Sequence, residues 1–129
     1  MPHVFEYALL RAVPRQERGE FVNVGVLVYC KDLDFLGARV HVDERRVLAL
    51  DPFLDVEVLR ATLDHLGLSC DGVPTAGPVS RTSAGQRFRW LTAPRSTIVQ
   101  TSPAHTGLTD DPEAELDRLL AALVLPPEH

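Results

Sequence analysis

The hydrophobic and polar positions in the first third of the chain follow strand patterns. Residues 4–13, VFEYALLRAV, combine β-branched, aromatic and aliphatic side chains and stop at Pro14. Residues 21–30, FVNVGVLVYC, are almost continuously apolar, which is typical of a central strand covered on both faces. Residues 35–42, FLGARVHV, alternate between two faces. Short turns join these segments, so the pattern predicts an antiparallel meander of three strands.

A polar residue interrupts the most apolar of these segments. Asn23 lies within residues 21–30, and an Asn buried without hydrogen-bond partners costs about 1–3 kcal/mol. It therefore needs a definite partner, either a ligand or, as we favour, a structural group from another loop. Arg18, Glu20 and Asn23 form a candidate binding group on this basis. Gly25, two residues further on, predicts a β-bulge or a close backbone approach.

Helical patterns follow the strands. Asp43 is a suitable N-cap for a short helix that ends before Pro52. Asp55 caps a longer helix, in which apolar residues recur at helical spacing until Gly67 ends it. The apolar positions of that helix are Val56, Leu59, Leu63 and Leu66. Residues 43–67 therefore predict two consecutive helices.

Two further elements are predicted in the second half of the chain. Ser83 and Gln86 match the capping box that precedes a helix, which indicates a short helix as far as Leu91. Residues 96–101, STIVQT, are rich in β-branched side chains. This segment therefore predicts a fourth strand that joins the sheet.

The last helix has the clearest start. Asp111 is a good N-cap and Pro112 suits the first helical position. Its apolar stripe consists of Leu116, Leu119, Leu120 and Leu123. Together the elements predict an α+β fold, with a mostly antiparallel sheet of about four strands and helices packed on one face. A chain of this length is predicted to form a single domain, residues 1–129.

Composition narrows the class of protein. Hydrophobic residues make up 45% and charged residues 24% of the chain, as in globular proteins. No apolar run approaches the roughly 20 residues of a membrane span, and no secretory pattern opens the chain, so a cytoplasmic location is predicted. Cys30 and Cys70 belong to no metal-binding spacing. The sequence therefore predicts neither a metal site nor a cofactor.

The charges are distributed unevenly along the chain. A net charge of -5 from 13 bases and 18 acids argues against binding to nucleic acid. Residues 72–109, the acid-free segment, nevertheless contain no Asp or Glu. The basic side chains of this segment are Arg81, Arg87, Arg89, Arg95 and His105. The segment therefore predicts a local site for an anion on an acidic protein.

Three consecutive residues of the acid-free segment are candidate contacts to that anion. Arg95, Ser96 and Thr97 all carry hydrogen-bond donors suited to phosphate or carboxylate oxygens. The alternative is structural: Arg95 pairs with an acid such as Glu20, while the two hydroxyl residues favour a strand. The first interpretation predicts binding of a small ligand that carries phosphate.

A second candidate contact lies a few residues further on. His105 and Thr106 belong to residues 102–107, SPAHTG, a turn-rich segment that predicts a loop. Ligand contacts concentrate in loops that a rigid scaffold positions. Because no base, nucleophile or metal ligand accompanies His105 at a diagnostic spacing, a structural hydrogen bond is the alternative for this side chain.

Three segments resemble those of a known family. They are residues 18–26, RGEFVNVGV, residues 35–39, FLGAR, and residues 94–120, PRSTIVQTSPAHTGLTDDPEAELDRLL. On these segments the chain is similar to a bacterial family known as domain of unknown function 3037 (DUF3037), and the similarity covers nearly the whole chain. The resemblance implies no activity, cofactor or catalytic residue. It implies a protein partner, a kinase similar to the HipA toxin.

No complete motif for nucleotide binding or hydrolysis occurs in the sequence. The favoured function is a non-enzymatic module that binds a protein partner or a small anionic ligand. The alternative is an enzyme acting on a phosphate ester or nucleotide, in which Arg95 stabilises charge, His105 is the acid or base and Asp110 orients it. Convergence of these three residues in a concave pocket would favour a ligand or catalytic site, and their separation would favour a partner surface.

Overall fold

The sheet contains the three predicted strands and two later ones. The computed structural model describes residues 2–71, 82–93 and 97–127. Its strands are β1 (His3–Ala12), β2 (Val22–Cys30), β3 (Phe35–Val40), β4 (Val99–Thr101) and β5 (His105–Thr109). β1, β2 and β3 form the antiparallel meander, and β4 and β5 both pair antiparallel with the other side of β1. The antiparallel sheet is confirmed, with five strands instead of about four.

The two late strands lie end to end along β1. β4 pairs with residues 10–12 and β5 with residues 3–7. Ser102 joins the two, because its N–H donates to the backbone oxygen of Leu9 (2.9 Å) and its hydroxyl accepts from the Leu9 N–H (2.8 Å). The prediction of a loop over residues 102–107 is therefore wrong from His105 onward. Pro103 interrupts the ladder only locally, and pairing resumes two residues later.

The described residues form four α-helices. They are α1 (Glu44–Leu50), α2 (Val56–Cys70), α3 (Ala84–Leu91) and α4 (Pro112–Leu123), and their N-caps are the predicted Asp43, Asp55, Ser83 and Asp111. None of these helices is long and apolar enough to span a membrane. The predicted end of α2 at Gly67 is wrong. A glycine inside a helix costs only about 1 kcal/mol, and continuing the helix buries Ser69 and Cys70.

Helices cover both faces of the sheet. Helices α1, α2 and α3 pack over one face, which presents Leu10 of β1 and Leu27 of β2. Helix α4 packs over the other face, where Leu116 belongs to the same buried cluster as Val26 and Val28. The α+β class is confirmed, but the helices are not confined to one face. The reason is the continuous apolar run of β2, which needs cover on both sides.

A β-bulge in β2 changes which face its residues occupy. The pairing with β1 shifts register opposite Val24, which has no partner of its own. This extra residue places Asn23 on the same face as Val26, towards α4. A Cβ atom on Gly25 would lie 2.7 Å from the backbone oxygen of Arg39, closer than packed atoms come. The bulge and the close approach predicted from Gly25 are both confirmed.

Candidate functional site

The acid-free segment has an acid close to it in space. Arg89 on α3 donates to both carboxylate oxygens of Glu6 on β1, at 3.0 and 2.8 Å. Hydrogen bonding to this carboxylate raises the pKa of the Arg89 guanidinium. Arg87 donates to the backbone oxygens of Cys70 and Thr82. These two arginines therefore hold the fold together, and Glu6 offsets part of the positive charge that the sequence predicts.

The predicted anion contacts at residues 95–97 are described only in part. Arg95 and Ser96 lie outside the described residues. Thr97 is exposed, and its hydroxyl donates to the backbone oxygen of Val99. A threonine hydroxyl has one proton to donate, so this bond leaves the Thr97 side chain without a donor for an anion.

The two other predicted contacts lie on opposite faces of β5. The ring of His105 packs against Tyr7, with 5.2 Å between the ring centroids. Thr106 pairs with Glu6 and is exposed on the opposite face. There it borders a cavity of about 520 Å³ that Arg89 also lines. Because successive side chains of a strand alternate, His105 and Thr106 cannot contact the same small ligand.

The candidate anion contacts that the structure describes, Thr97, His105 and Thr106, do not converge on one pocket. The N–H of Val13 donates to the backbone oxygen of Ile98 (2.7 Å), whereas His105 pairs with Tyr7, six positions earlier on β1. Thr97 precedes Ile98, so it lies roughly 20 Å from His105. Separation of this size favours a partner surface over a site for one small ligand.

The residues considered for catalysis are separated as well. Asp110 follows β5 at the end opposite His105, about 15 Å along the strand. Ser102 is buried, and its hydroxyl is engaged with the Leu9 N–H and the Pro103 oxygen. The described residues therefore do not assemble a Ser-His-Asp arrangement from Ser102, His105 and Asp110, the serine, histidine and aspartate that lie near one another in sequence here. Within the described ranges, no group of three His, Cys, Asp or Glu residues could hold a metal ion.

The structure divides the second predicted group, Arg18, Glu20 and Asn23, into two. Arg18 and Glu20 form an exposed ion pair, in which the hydrogen bond from Arg18 lowers the pKa of Glu20. An exposed pair of this kind contributes little to stability because water screens it. Asn23 instead donates through Nδ2 to the backbone oxygen of Leu123 on α4 (3.1 Å). It therefore has a structural partner, which ties β2 to the end of α4.

One donor and one acceptor are left over beside this contact. Arg11 Nε and Asn23 Oδ1 are buried, and neither has a hydrogen-bond partner within the described part of the chain. The two residues face each other on β1 and β2, and the Arg11 guanidinium lies 4.1 Å from the centre of the Phe21 ring. A bridging water that accepts from Arg11 and donates to Asn23 would satisfy both atoms.

The outer side of β5, here called the β5 edge, carries unpaired backbone groups. Leu9 exchanges its backbone hydrogen bonds with Ser102, so the odd-numbered residues of β1 direct their N–H and C=O groups towards β4 and β5. The ladder alternates, and Gly107 therefore bonds inward to Phe5. Thr106 and Leu108 consequently direct their N–H and C=O groups outward, where no described strand pairs with them.

Two apolar side chains at the β5 edge are exposed. Leu108 is 65% exposed, and its cross-strand partner Val4 is 58% exposed. The described helices pack mainly on β2 and β3, which leaves this end of the sheet open. Residues 105–109, HTGLT, contain no proline and no Asp, Glu, Lys or Arg, the residues that usually protect an edge strand. Among the described residues, the β5 edge therefore combines outward-facing backbone groups that no strand pairs with and two exposed apolar side chains, Val4 and Leu108.

Sequence reasoning missed Val4 and Leu108 as functional candidates. Single exposed apolar residues are common, so neither one is informative alone. The absence of protecting residues in HTGLT was a usable signal, but it has meaning only once the segment is known to be an edge strand. Assigning residues 102–107 to a loop concealed it.

Comparison with known proteins gives a family and no activity. The chain matches the family model described as protein of unknown function (DUF3037) over residues 7–124. The match covers most of the chain, so the protein belongs to this family, as the resemblance predicts. Searches of curated proteins and of solved structures find no match.

Proposed function

We propose that this member of the DUF3037 family is a non-enzymatic module that binds a protein partner by strand addition at the β5 edge. One observation supports the proposal above all others: Thr106 and Leu108 direct backbone groups away from the sheet, at an end of the sheet that no described helix covers well. An extended segment of a partner would hydrogen-bond to these groups and continue the sheet beyond β5.

The apolar surface beside the edge supports the same mode of binding. In strand addition, backbone hydrogen bonds supply affinity, and alternate side chains of the added strand supply specificity. Leu108 and Val4 lie side by side on one face, so an apolar side chain of the added strand would pack against Leu108. Burying both side chains would contribute roughly 1.5–3 kcal/mol each at most. This gain would add to that of the new backbone hydrogen bonds.

The cavity next to Thr106 indicates which type of side chain the partner would place there. Its volume is about 520 Å³, and the residues that line it include Glu6, Lys31, Asp32 and Arg89. Arg89 and Glu6 already neutralise each other. Lys31 and Asp32 present one charge of each sign at the rim. We therefore expect the partner to place a polar side chain, rather than a large apolar one, in this cavity.

Binding explains the positions of the candidate residues better than catalysis does. His105 and Asp110 stand at opposite ends of β5, so the enzyme hypothesis has no assembled acid, base and orienting group among them. Binding of a small anionic ligand would depend on Arg95 and Ser96, which lie outside the described residues, so it stays a prediction. So do the HipA-like kinase as partner and the bacterial cytoplasm as location. Calorimetric titration with pyrophosphate and nucleotides, at low and moderate salt, tests the anion.

The experiment for strand addition is a proline substitution at the β5 edge. Leu108→Pro removes an outward N–H and an exposed side chain but no bond between β5 and β1. Partners captured by the tagged native protein are first located by cross-linking. We expect Leu108→Pro to weaken capture of a partner cross-linked near β5 by at least about tenfold. Binding of that partner should also slow hydrogen exchange at the Leu108 amide of the unaltered protein.

The matched control lies at the other end of the sheet. His41 N–H bonds inward to Val24 on β2 (2.8 Å), so Val40, the residue before it, directs its N–H outward. Val40→Pro thus makes the same change on the outer side of β3, and we expect it to leave capture unchanged. Equal loss with both variants, or normal capture by a folded Leu108→Pro protein, would rule out strand addition at β5.

A further inference from the structure

The face of the sheet that α4 covers continues beyond the helix onto β1. Helix α4 packs mainly on β2 and β3, and β1 presents Tyr7, Leu9 and Arg11 beside it. All three side chains are half-buried. Tyr7 and Leu9 pack against the apolar cluster beneath α4. Arg11 therefore places a positive charge at the end of an apolar row.

The guanidinium of Arg11 is held in position by its neighbours. Its central carbon lies 4.1 Å from the centre of the Phe21 ring, within the range of cation–π attraction. On β2 it faces Asn23, which is fixed in turn by its bond to the backbone oxygen of Leu123. Phe21 is 46% exposed, so part of its ring is left in contact with solvent. Arg11 is thus pre-organised at the surface of the sheet.

The positive charge of Arg11 is not neutralised by the residues that the structure describes. Arg39 and Arg89 each contact a carboxylate, whereas Arg11 has no ion pair within the described part of the chain. Its Nε is buried without a hydrogen-bond partner, and its two terminal nitrogens are not buried in this way. A water that bridges Nε and Asn23 would satisfy both atoms but would leave the charge unbalanced. A half-buried charge without a counter-ion is costly, and polar groups left unsatisfied in this way are commonly explained by a bound ion.

We propose that Arg11 binds the carboxylate group of a ligand through its terminal nitrogens. The guanidinium is a planar fork, and a carboxylate matches it with two oxygens in one plane. Because the Phe21 ring covers one face of the guanidinium, the carboxylate approaches within that plane. The carbon chain that carries the carboxylate would find an apolar surface on the exposed part of the ring.

This site is distant from the β5 edge. Arg11 lies seven residues from Val4 along β1, which is roughly 23 Å in a strand. It pairs with Gln100 of β4, whereas Val4 pairs with β5. The proposal is therefore independent of strand addition. The carboxylate belongs either to a free carboxylic acid or to an acidic side chain of a protein partner, and both sources share the chemistry that Arg11 recognises.

The Nε–H group of Arg11 supplies a direct measurement. Because Nε is buried, its proton should exchange slowly with water and give a separate signal in the nitrogen-15 spectrum of arginine side chains. Arg11→Lys removes this signal and thereby assigns it. We expect acetate to shift the signal saturably, with a dissociation constant of roughly 5–50 mM. Sodium chloride at the same ionic strength should leave it in place. Arg45, which is exposed on α1, is the internal control. Equal and linear shifts at Arg11 and Arg45 would show non-specific attraction only and would overturn the proposal.

Substitution of the ring tests whether it positions the guanidinium. Phe21→Leu removes the ring beneath Arg11 and keeps an apolar side chain, and we expect it to weaken acetate binding by about three- to fivefold. Phe53→Leu makes the same change at a residue that is 88% exposed between α1 and α2, so acetate binding should persist. Equal acetate affinities of the two variants would contradict the proposed geometry.

Removal of the charge tests Arg11 itself. Arg11→Met eliminates the guanidinium at nearly constant length, and the side-chain amide signal of Asn23 remains as a reporter. We expect acetate to shift the Asn23 signal in the unaltered protein but not in Arg11→Met. If Arg11→Met does not fold, Arg11→Lys keeps the charge but loses the planar fork and should weaken the acetate response of Asn23 by at least about threefold. An undiminished response in the folded variant would overturn the proposal.

The chemical class and the source of the carboxylate are tested separately. Inorganic phosphate carries further oxygens out of the plane of the guanidinium, so it should bind no more tightly than acetate. Clearly tighter binding of phosphate would overturn the proposed class. Loss of a captured protein partner with Arg11→Lys would assign the carboxylate to that partner, and unchanged capture together with acetate binding by the unaltered protein would assign it to a free acid. Because Leu108→Pro lies on another strand, it should keep the acetate response of Arg11. Failure of one proposal is thereby distinguished from failure of the other.

Discussion

The two outer edges of the sheet, β3 and β5, differ in whether a charged side chain protects their outward-facing backbone groups. On β3, the Arg39 guanidinium donates to the backbone oxygen of Ala38 (3.1 Å). It also lies 3.5 Å from Glu113 and 3.4 Å from Asp117, both on α4. On β5 no charged side chain occupies the strand, and Leu108 stands exposed. One edge is thus protected by a charged side chain held in place by a helix, and the other has no such protection from the residues that the structure describes.

This difference shows that availability for pairing depends on tertiary contacts as much as on the strand itself. Both strands are short, and both are edge strands of the same sheet. What protects β3 is α4, whose acids hold Arg39 across the edge and whose Leu116 packs close to Gly37. Natural proteins commonly protect edges with charged side chains in this way. An edge without such protection is suited to a partner.

The largest loss of stability is expected from a substitution that undocks α4, the helix that protects β3. Leu119 is 3% exposed in the cluster beneath this helix, and Leu119→Asp would bury an unpaired charge there. We expect a loss of roughly 3–5 kcal/mol in the free energy of unfolding, out of a total of about 5–15 kcal/mol. Circular dichroism during thermal unfolding measures it.

The control for this substitution lies on the same helix. Leu123 is 39% exposed, so Leu123→Asp keeps its charge in water and should change the melting temperature little. An unchanged melting temperature for Leu119→Asp would mean that α4 is not docked on the sheet. The acids of α4 would then not hold Arg39 across the edge of β3.

A smaller loss of stability is expected from substitutions at two glycines near the edges, Gly25 in β2 beside β3 and Gly107 in β5. A Cβ on Gly25 would lie 2.7 Å from the backbone oxygen of Arg39, whereas a Cβ on Gly107 would lie 2.7 Å from a ring carbon of Phe5. A ring can shift more easily than a paired backbone. We therefore expect Gly25→Ala to cost about 3 kcal/mol and Gly107→Ala about 1 kcal/mol, measured by urea unfolding.

A third glycine provides the control for these two. Gly67 lies inside α2, and a Cβ there would meet no atom within 4 Å. Because alanine favours helix, Gly67→Ala should raise stability by about 0.5–1 kcal/mol. Equal costs at Gly25 and Gly107 would contradict the distinction between a rigid and an adaptable neighbour.

The smallest effect on stability is expected when the protection of β3 is removed directly. Arg39→Ala takes away contacts that are partly exposed, so the free energy of unfolding should fall by less than about 1 kcal/mol. The freed edge should instead promote self-association, seen by sedimentation at increasing concentration. Arg118→Ala removes another ion pair of α4, with Glu115, and should sediment as the unaltered protein does. Identical sedimentation of the two variants would show that Arg39 does not protect the edge.

The elements predicted most accurately depend on local sequence. The N-caps Asp43, Asp55, Ser83 and Asp111 all start helices, because a capping side chain and the amides it accepts from lie within three residues. The bulge at Gly25 is local in the same sense, since a missing Cβ permits the close approach of a neighbouring strand. The strands of the meander were predicted because short turns leave few ways to pair them.

The candidate site was predicted less well, because its meaning depends on distant contacts. Glu6 and Arg89 are 83 residues apart in sequence and share two hydrogen bonds, which offset positive charge that appears isolated along the chain. Whether His105 belongs to a loop or a strand was decided by pairing with Tyr7, nearly 100 residues earlier. Local propensity carries no information about such a partner.

The sequence by itself determined the α+β class, the helix starts and the apolar core of β2. Tertiary structure decided that β4 and β5 share one side of β1, that α4 covers the face opposite α1, α2 and α3, and that Arg39 protects β3 while Leu108 stays exposed. The physical reason is range. Capping, helical periodicity and glycine conformation act over a few residues, whereas the exposure of an edge depends on every element that could cover it.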